Sequence, residues 1–109
     1  MTIEMALQKL IPGLRDIYGN LVDSVILYGS TARGTRAEDS DVDVAVLLYP
    51  GATKEMKKQM IDLVVDLELE CDKVLSVLCI DYSKYAEWKD TLPFYKNIDE
   101  EGIVLWRAA

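Results

Sequence analysis

The sequence has 109 residues, half of them apolar, and its 19 acids outweigh its 12 bases for a net charge of −7. That length fits one domain spanning residues 1–109, with enough apolar side chains for a core that needs no disulfide staples. The acidic balance repels a bare phosphate backbone, so direct nucleic-acid binding is not expected, and the absence of histidine removes serine-histidine and cysteine-histidine hydrolysis in their usual form.

Ile3, Leu7, Leu10, Ile11, Leu14, Ile17 and Tyr18 recur at helical spacing, which predicts a helix over residues 3–18. Pro12 is expected to kink or restart it, and Gly19-Asn20 to end it. The same N-terminal stretch carries an early acid and no basic segment, so it does not read as a signal peptide. Residues 21–29, "LVDSVILYG", are rich in β-branched residues and stop at glycine, which predicts a strand. Residues 30–37 read as a short helix or turn capped by Ser30, and residues 41–49, "DVDVAVLLY", as a second strand closed by Pro50-Gly51.

Thr53 is placed to cap a long amphipathic helix with Met56, Met60, Leu63, Val64 and Leu67 on one face. A third strand is expected over residues 73–80. Asp81 or Ser83 can then cap a helix bearing Tyr85 and Trp88. A last short helix is expected within residues 92–102, with Pro93 near its start and Gly102 at its end, before "IVLWR" returns as an edge strand. Cys79 reads as a small buried hydrophobe and Cys71 as an unpaired thiol; with no CxxC spacing, zinc is not expected, and a reducing cytoplasm is. No apolar run approaches the roughly 20 residues that span a bilayer. If the second and third strands run parallel, a right-handed crossover joins them. These elements are too few for a doubly wound sheet and predict a small sheet with helices mainly on one face.

Asp41 and Asp43 interrupt this apolar pattern. Alternate strand residues share a face, so the two carboxylates lie together while Val42, Val44 and Val46 feed the core. Two close carboxylates repel, and a divalent cation such as Mg²⁺, bound through one or two carboxylates and phosphate oxygens, relieves the repulsion. A short acidic motif also arises by chance at a solvated strand end. A calcium loop is excluded, because its glycine and glutamate positions hold Val44 and Pro50. Gly29-Ser30 forms a corner whose backbone can approach a phosphate, although a plain strand-to-turn corner has the same sequence. No GxxxxGK[ST] loop is present. Arg33 and Arg36, the bases nearest the acids, can touch a triphosphate or simply face water.

Gly29-Ser30, ten residues, then Asp41-Val42-Asp43 resembles the GSx10DxD signature of the polymerase-beta-like nucleotidyltransferases. The full stretch "YGSTARGTRAEDSDVDVAVLL" is most similar to the minimal nucleotidyltransferase (MNT) branch, and the likeness runs through the whole chain. The resemblance implies an α+β fold with a mixed sheet and Mg²⁺-dependent transfer of a nucleoside monophosphate, AMP from ATP or another NTP. It implies Gly29, Ser30, Arg33 and Ser40 at the nucleotide, and Asp41 and Asp43 as catalytic metal ligands. Many MNT members resemble antitoxins paired with a HEPN-domain RNase toxin, which they neutralise by binding or by adding AMP. A HEPN-domain protein is therefore the implied partner, and a homo-oligomer is compatible with the sequence.

One departure concerns a third carboxylate, which the family carries on the third strand. Here Ser76 stands at the expected place, and serine supplies no carboxylate base. Asp72 and Glu70 are the candidate substitutes, Asp72 being the better placed as a metal ligand. Two functions follow: an active nucleotidyltransferase, or an antitoxin of weak or no activity that works by docking. Trp88, Phe94, Tyr95 and Trp106 are candidate anchors for the second.

Overall fold

The computed structural model describes residues 2–29 and 41–108. Helix α1 (Ile3–Tyr18) leads through a 3₁₀ turn (Gly19–Leu21) into β1 (Val22–Tyr28). Then come β2 (Val42–Leu48), α2 (Lys54–Cys71), β3 (Leu75–Asp81), α3 (Tyr82–Trp88), α4 (Pro93–Glu101) and β4 (Ile103–Arg107). The sheet order is β3-β2-β1-β4, with β1 antiparallel to both β2 and β4, and β2 parallel to β3. This is the expected mixed sheet, with α2 as the crossover between its parallel pair.

Local chemistry sets the boundaries. The Thr2 hydroxyl accepts from the Met5 N–H and the Thr53 hydroxyl from the Met56 N–H, each capping the start of its helix. Asp81 accepts from the N–H groups of Ser83 and Lys84 at 2.8 and 3.2 Å and so starts α3. Pro93 occupies the first turn of α4, where its missing N–H costs nothing. Pro12 lies within one continuous helix: the buried face of Leu10, Leu14 and Tyr18 holds α1 together past the lost hydrogen bond.

Strand alternation divides the core between the two faces of the sheet. Val42, Val44, Val46 and Leu48 pack with Val25 and Leu27 beneath α1 and α2, against Leu10, Leu14, Met60, Val64 and Leu67. The other face carries a smaller cluster of Ile26, Ala45, Leu47 and Ile80 beneath Tyr85 of α3 and Ile98 of α4. The two long helices thus lie on one face, as expected, and two short ones partly cover the other. Both cysteines are unpaired, as expected of Cys71, but the expected burial of Cys79 is incomplete. Cys71, at the end of α2, is the buried thiol, whereas Cys79 is half-buried with its sulfur 3.7 Å from the Tyr18 hydroxyl. No helix among the described residues is long and apolar enough to cross a membrane.

Candidate active site

The acids stand where β1 ends and β2 begins. Asp41 is exposed just before β2, and the next residue, Val42, fastens the strand by donating its N–H to the Val74 carbonyl at 2.9 Å. Asp43 is half-buried and stands level with Tyr28 of β1 on one side and Ser76 of β3 on the other. Directly paired residues share a face, so Tyr28, Asp43 and Ser76 form one row across three strands.

Gly29 follows Tyr28 with φ of +75°, a conformation in which a side chain is strained. A Cβ built there would meet Asp43 Oδ2 at 2.6 Å. The carboxylate therefore occupies the space that any other residue at position 29 would fill. This packing binds Gly29 and the D-x-D strand into a single feature, a link that sequence spacing alone leaves implicit.

The electrostatics agree. Burial, then the neighbouring Asp41 charge, raises the Asp43 carboxyl above its ordinary value. Both influences disfavour the ionised form. Burial followed by the Asp43 charge likewise raises the Tyr28 hydroxyl. A pair of mutually repelling carboxylates beside a backbone corner without a side chain is a donor set that suits a hard divalent cation carrying phosphate oxygens.

The other sequence candidates fall elsewhere. Ser30, Arg33, Arg36 and Ser40 lie outside the described residues. Asp72 ends α2 in the left-handed region, with φ of 54°, and donates its N–H to the Glu68 carbonyl at 2.9 Å. Among the described residues no group of three acids, cysteines or histidines gathers to hold a metal, so Asp72 does not complete a triad with Asp41 and Asp43. Its cap position explains this, because the turn that starts β3 separates it from the row. Glu70 is engaged with Lys9 at 3.4 Å, and Glu68 accepts from the Leu75 N–H at 3.0 Å. Ser76, by contrast, stands at the level of Asp43, where the sequence places the missing third acid.

Tyr28 is a site neighbour that the sequence did not single out, and Phe94, expected only as a docking anchor, is another. The Phe94 ring meets that of Tyr28 edge-on at 5.7 Å, bringing the start of α4 beside the row of Tyr28, Asp43 and Ser76. Only the antiparallel register of β1 and β2 reveals Tyr28, and that register spans a segment with no pairing signal of its own. Of the expected docking aromatics, Trp88 and Phe94 are exposed. Tyr95 is half-buried, and Trp106 lies beneath the Arg15 guanidinium at 4.6 Å.

The fold recurs in solved structures. One is a toxin–antitoxin complex with AMP-PNP, 19% identical, with a TM-score of 0.58 over 92% of this chain and 73% of that one. A second is a tri-AMPylated Shewanella oneidensis HEPN toxin in complex with an MNT antitoxin, 18% identical, with a TM-score of 0.58 over 96% and 72% of the two chains. A candidate minimal nucleotidyltransferase, 21% identical, gives 0.56 over 94% and 95%. In sequence, a Methanocaldococcus jannaschii chain named as a candidate protein adenylyltransferase is 29% identical over 106 residues, 97% of this chain and all of that one. A second such chain from the same organism is 40% identical over 55 residues, half of this chain and 56% of its own length. Residues 7–105 match the family model described as a nucleotidyltransferase domain, and the chain belongs to that family.

Proposed function

We propose that this chain is a Mg²⁺-dependent nucleotidyltransferase that moves AMP from ATP onto a hydroxyl of a partner protein, with a HEPN-domain toxin as that partner and the cytoplasm as its setting. The observation that carries this reading is the packing of the Asp43 carboxylate against the bare Cα of Gly29. Asp41 and Asp43 would hold the metal, which when bound neutralises charge on the triphosphate and polarises the α-phosphate. The Gly29 corner lets phosphate oxygens approach the backbone, and Ser30, Arg33 and Ser40 are assigned to the nucleotide from sequence. In the transfer, the acceptor oxygen bonds to the α-phosphorus, the bond to the bridging oxygen breaks and pyrophosphate leaves. The hydroxyl proton passes to water or to a group of the partner, because Ser76 beside Asp43 is no base at neutral pH.

That serine also favours a second reading, in which the chain is a slow or inactive antitoxin that works by binding its toxin. The candidate substitute Asp72 does not join the acid pair among the described residues. The deciding experiment incubates the protein with Mg²⁺, ATP radiolabelled at the α-phosphate, and the toxin. Labelling abolished by Asp41→Asn or Asp43→Asn establishes the enzyme. No labelling, with toxin still neutralised by the double variant, establishes the binder.

A further inference from the structure

β3 lies at an edge of the sheet, with β2 its only strand neighbour among the described residues. Its outer row of N–H and C=O groups is a template for another strand. Natural edges are blunted by charge, proline or bulges. β3 has no proline and no bulge, and its one charge, Asp81, stands at its far end after Leu-Ser-Val-Leu-Cys-Ile. Val74 and Leu78 are 52% and 40% exposed. Alongside, the start of α4 closes a groove of about 610 Å³ lined by Leu78, Ile80, Leu92, Phe94 and Tyr95. The groove leads to the acids. Leu78 is two residues from Ser76 on the same face, and Phe94 touches Tyr28 in the row that contains Asp43.

We infer that the β3 edge and this groove dock an extended segment of the acceptor protein, which adds to the sheet beside β3 and turns its hydroxyl-bearing side chain across Ser76 toward Asp43. This rests on the transfer reading above. An unpaired strand edge selects an extended polypeptide over a helix, and the groove receives that segment's apolar side chains. A net charge of −7 favours a segment with basic flanks. Adjacent strands lie about 4.8 Å apart, so a residue of the added strand level with Ser76 stands roughly 10 Å from Asp43. A long hydroxylated side chain covers much of that gap, leaving the rest to the Asp43 side chain and the group it holds, and a short one covers little of it. The small side chain of Ser76 keeps the crossing open where a larger one would fill it. The opposite edge, β4, lies two strands from Asp43 and offers no such path.

The test uses the full chain without nucleotide and a fluorescein-labelled peptide, Lys-Thr-Val-Thr-Tyr-Thr-Val-Thr-Lys, whose Val and Tyr side chains share one face, with a proline-interrupted control. Polarisation should report binding of the first peptide only, and hydrogen exchange should slow at β3 amides. Leu78→Lys, a charge at an exposed edge position, should weaken binding at least about tenfold with the thermal midpoint retained. Ile103→Lys on β4 should leave binding unchanged. Phe94→Ala should weaken binding through the groove alone. Binding indifferent to Leu78→Lys, protection at β4 instead of β3, or a β3-mediated dimer of this chain that Leu78→Lys dissolves would each overturn the inference. Peptide that binds at β3 but is never labelled by ATP and Mg²⁺ counts against the transfer reading and leaves the docking site standing.

Discussion

Replacing Gly29 with alanine separates two effects that the structure superimposes. The backbone at φ of +75° strains any L side chain, at about 1–2 kcal/mol. The new methyl also meets Asp43 Oδ2 at 2.6 Å, closer than atoms in ordinary contact. The carboxylate is the end of a side chain and can swing aside, at roughly 0.5–1.5 kcal/mol for an unfavourable rotamer. Gly29→Ala should therefore destabilise the protein by about 1.5–3.5 kcal/mol in urea unfolding. Nucleotidyl transfer should fall further than stability does, because displacing a reacting group by about 1 Å costs on the order of a hundredfold. A double-mutant cycle isolates the contact. In an Asp43→Ala background the methyl has no carboxylate to displace, and the loss should shrink to the backbone share of about 1–2 kcal/mol. Equal losses in both backgrounds would refute the packing of Asp43 on Gly29 and with it the main geometric support for the site.

Asp43→Asn should raise the unfolding midpoint slightly without metal, since the raised Asp43 carboxyl shows ionisation beside Asp41 to be unfavourable; it should also abolish any rise in midpoint on adding Mg²⁺. A metal-free midpoint that falls would contradict the repulsion. Ser76→Asp sets a third carboxylate level with Asp43, so it should lower metal-free stability and enlarge the Mg²⁺-induced rise; an unchanged Mg²⁺ response would remove Ser76 from the metal's reach. Gly102→Ala drives a methyl into the Ile98 carbonyl oxygen and within 2.5 Å of Ile26 Cγ2, and should cost about 1–3 kcal/mol in urea unfolding; a neutral result would show that the α4–β1 junction gives way. The Tyr85 hydroxyl is pushed up to about 12, chiefly by burial and then by Asp99, so the folded chain keeps a proton that the unfolded chain loses above 10. Stability should fall as pH rises through that window, and Tyr85→Phe should flatten the fall; identical slopes in urea melts would refute the assignment.

Much of this was legible in the sequence because the signals are local. Thr53 and Asp81 as caps, Pro93 at a helix start, and the parity of Val42, Asp43 and Val44 each depend on a few neighbouring residues, and each stands where expected. What was not legible depends on pairing. The level of Tyr28 with Asp43 follows from the antiparallel register of β1 and β2, which no local signal fixes, whereas Ser76 was expected near the acids from the family resemblance. The incomplete burial of Cys79 has the same origin. Cys79 lies on an edge strand and stays half-open, while the buried face of α2 carries Cys71 into the core. Pro12 does not restart the helix, because its local penalty is outweighed by burial of a 16-residue helix.

The placement of the acids follows from how far the second helical layer reaches. On one face, α2 alone has 18 residues, about 27 Å, enough to cover seven-residue strands of about 23 Å, and Val42, Val44 and Val46 are fully buried there. On the other, α3 and α4 have seven and nine residues, about 10 and 13 Å, and neither alone covers the strands from end to end. The same face of β2 therefore passes from Asp43, half-buried, to Ala45 and Leu47, at 0% and 2% exposure, within four residues. A carboxylate is tolerable only where that cover ends, and the cover ends where Gly29 brings the backbone corner against Asp43. The full core on the opposite face anchors β2 independently, so the strand can hold two repelling charges at its open end without losing its register.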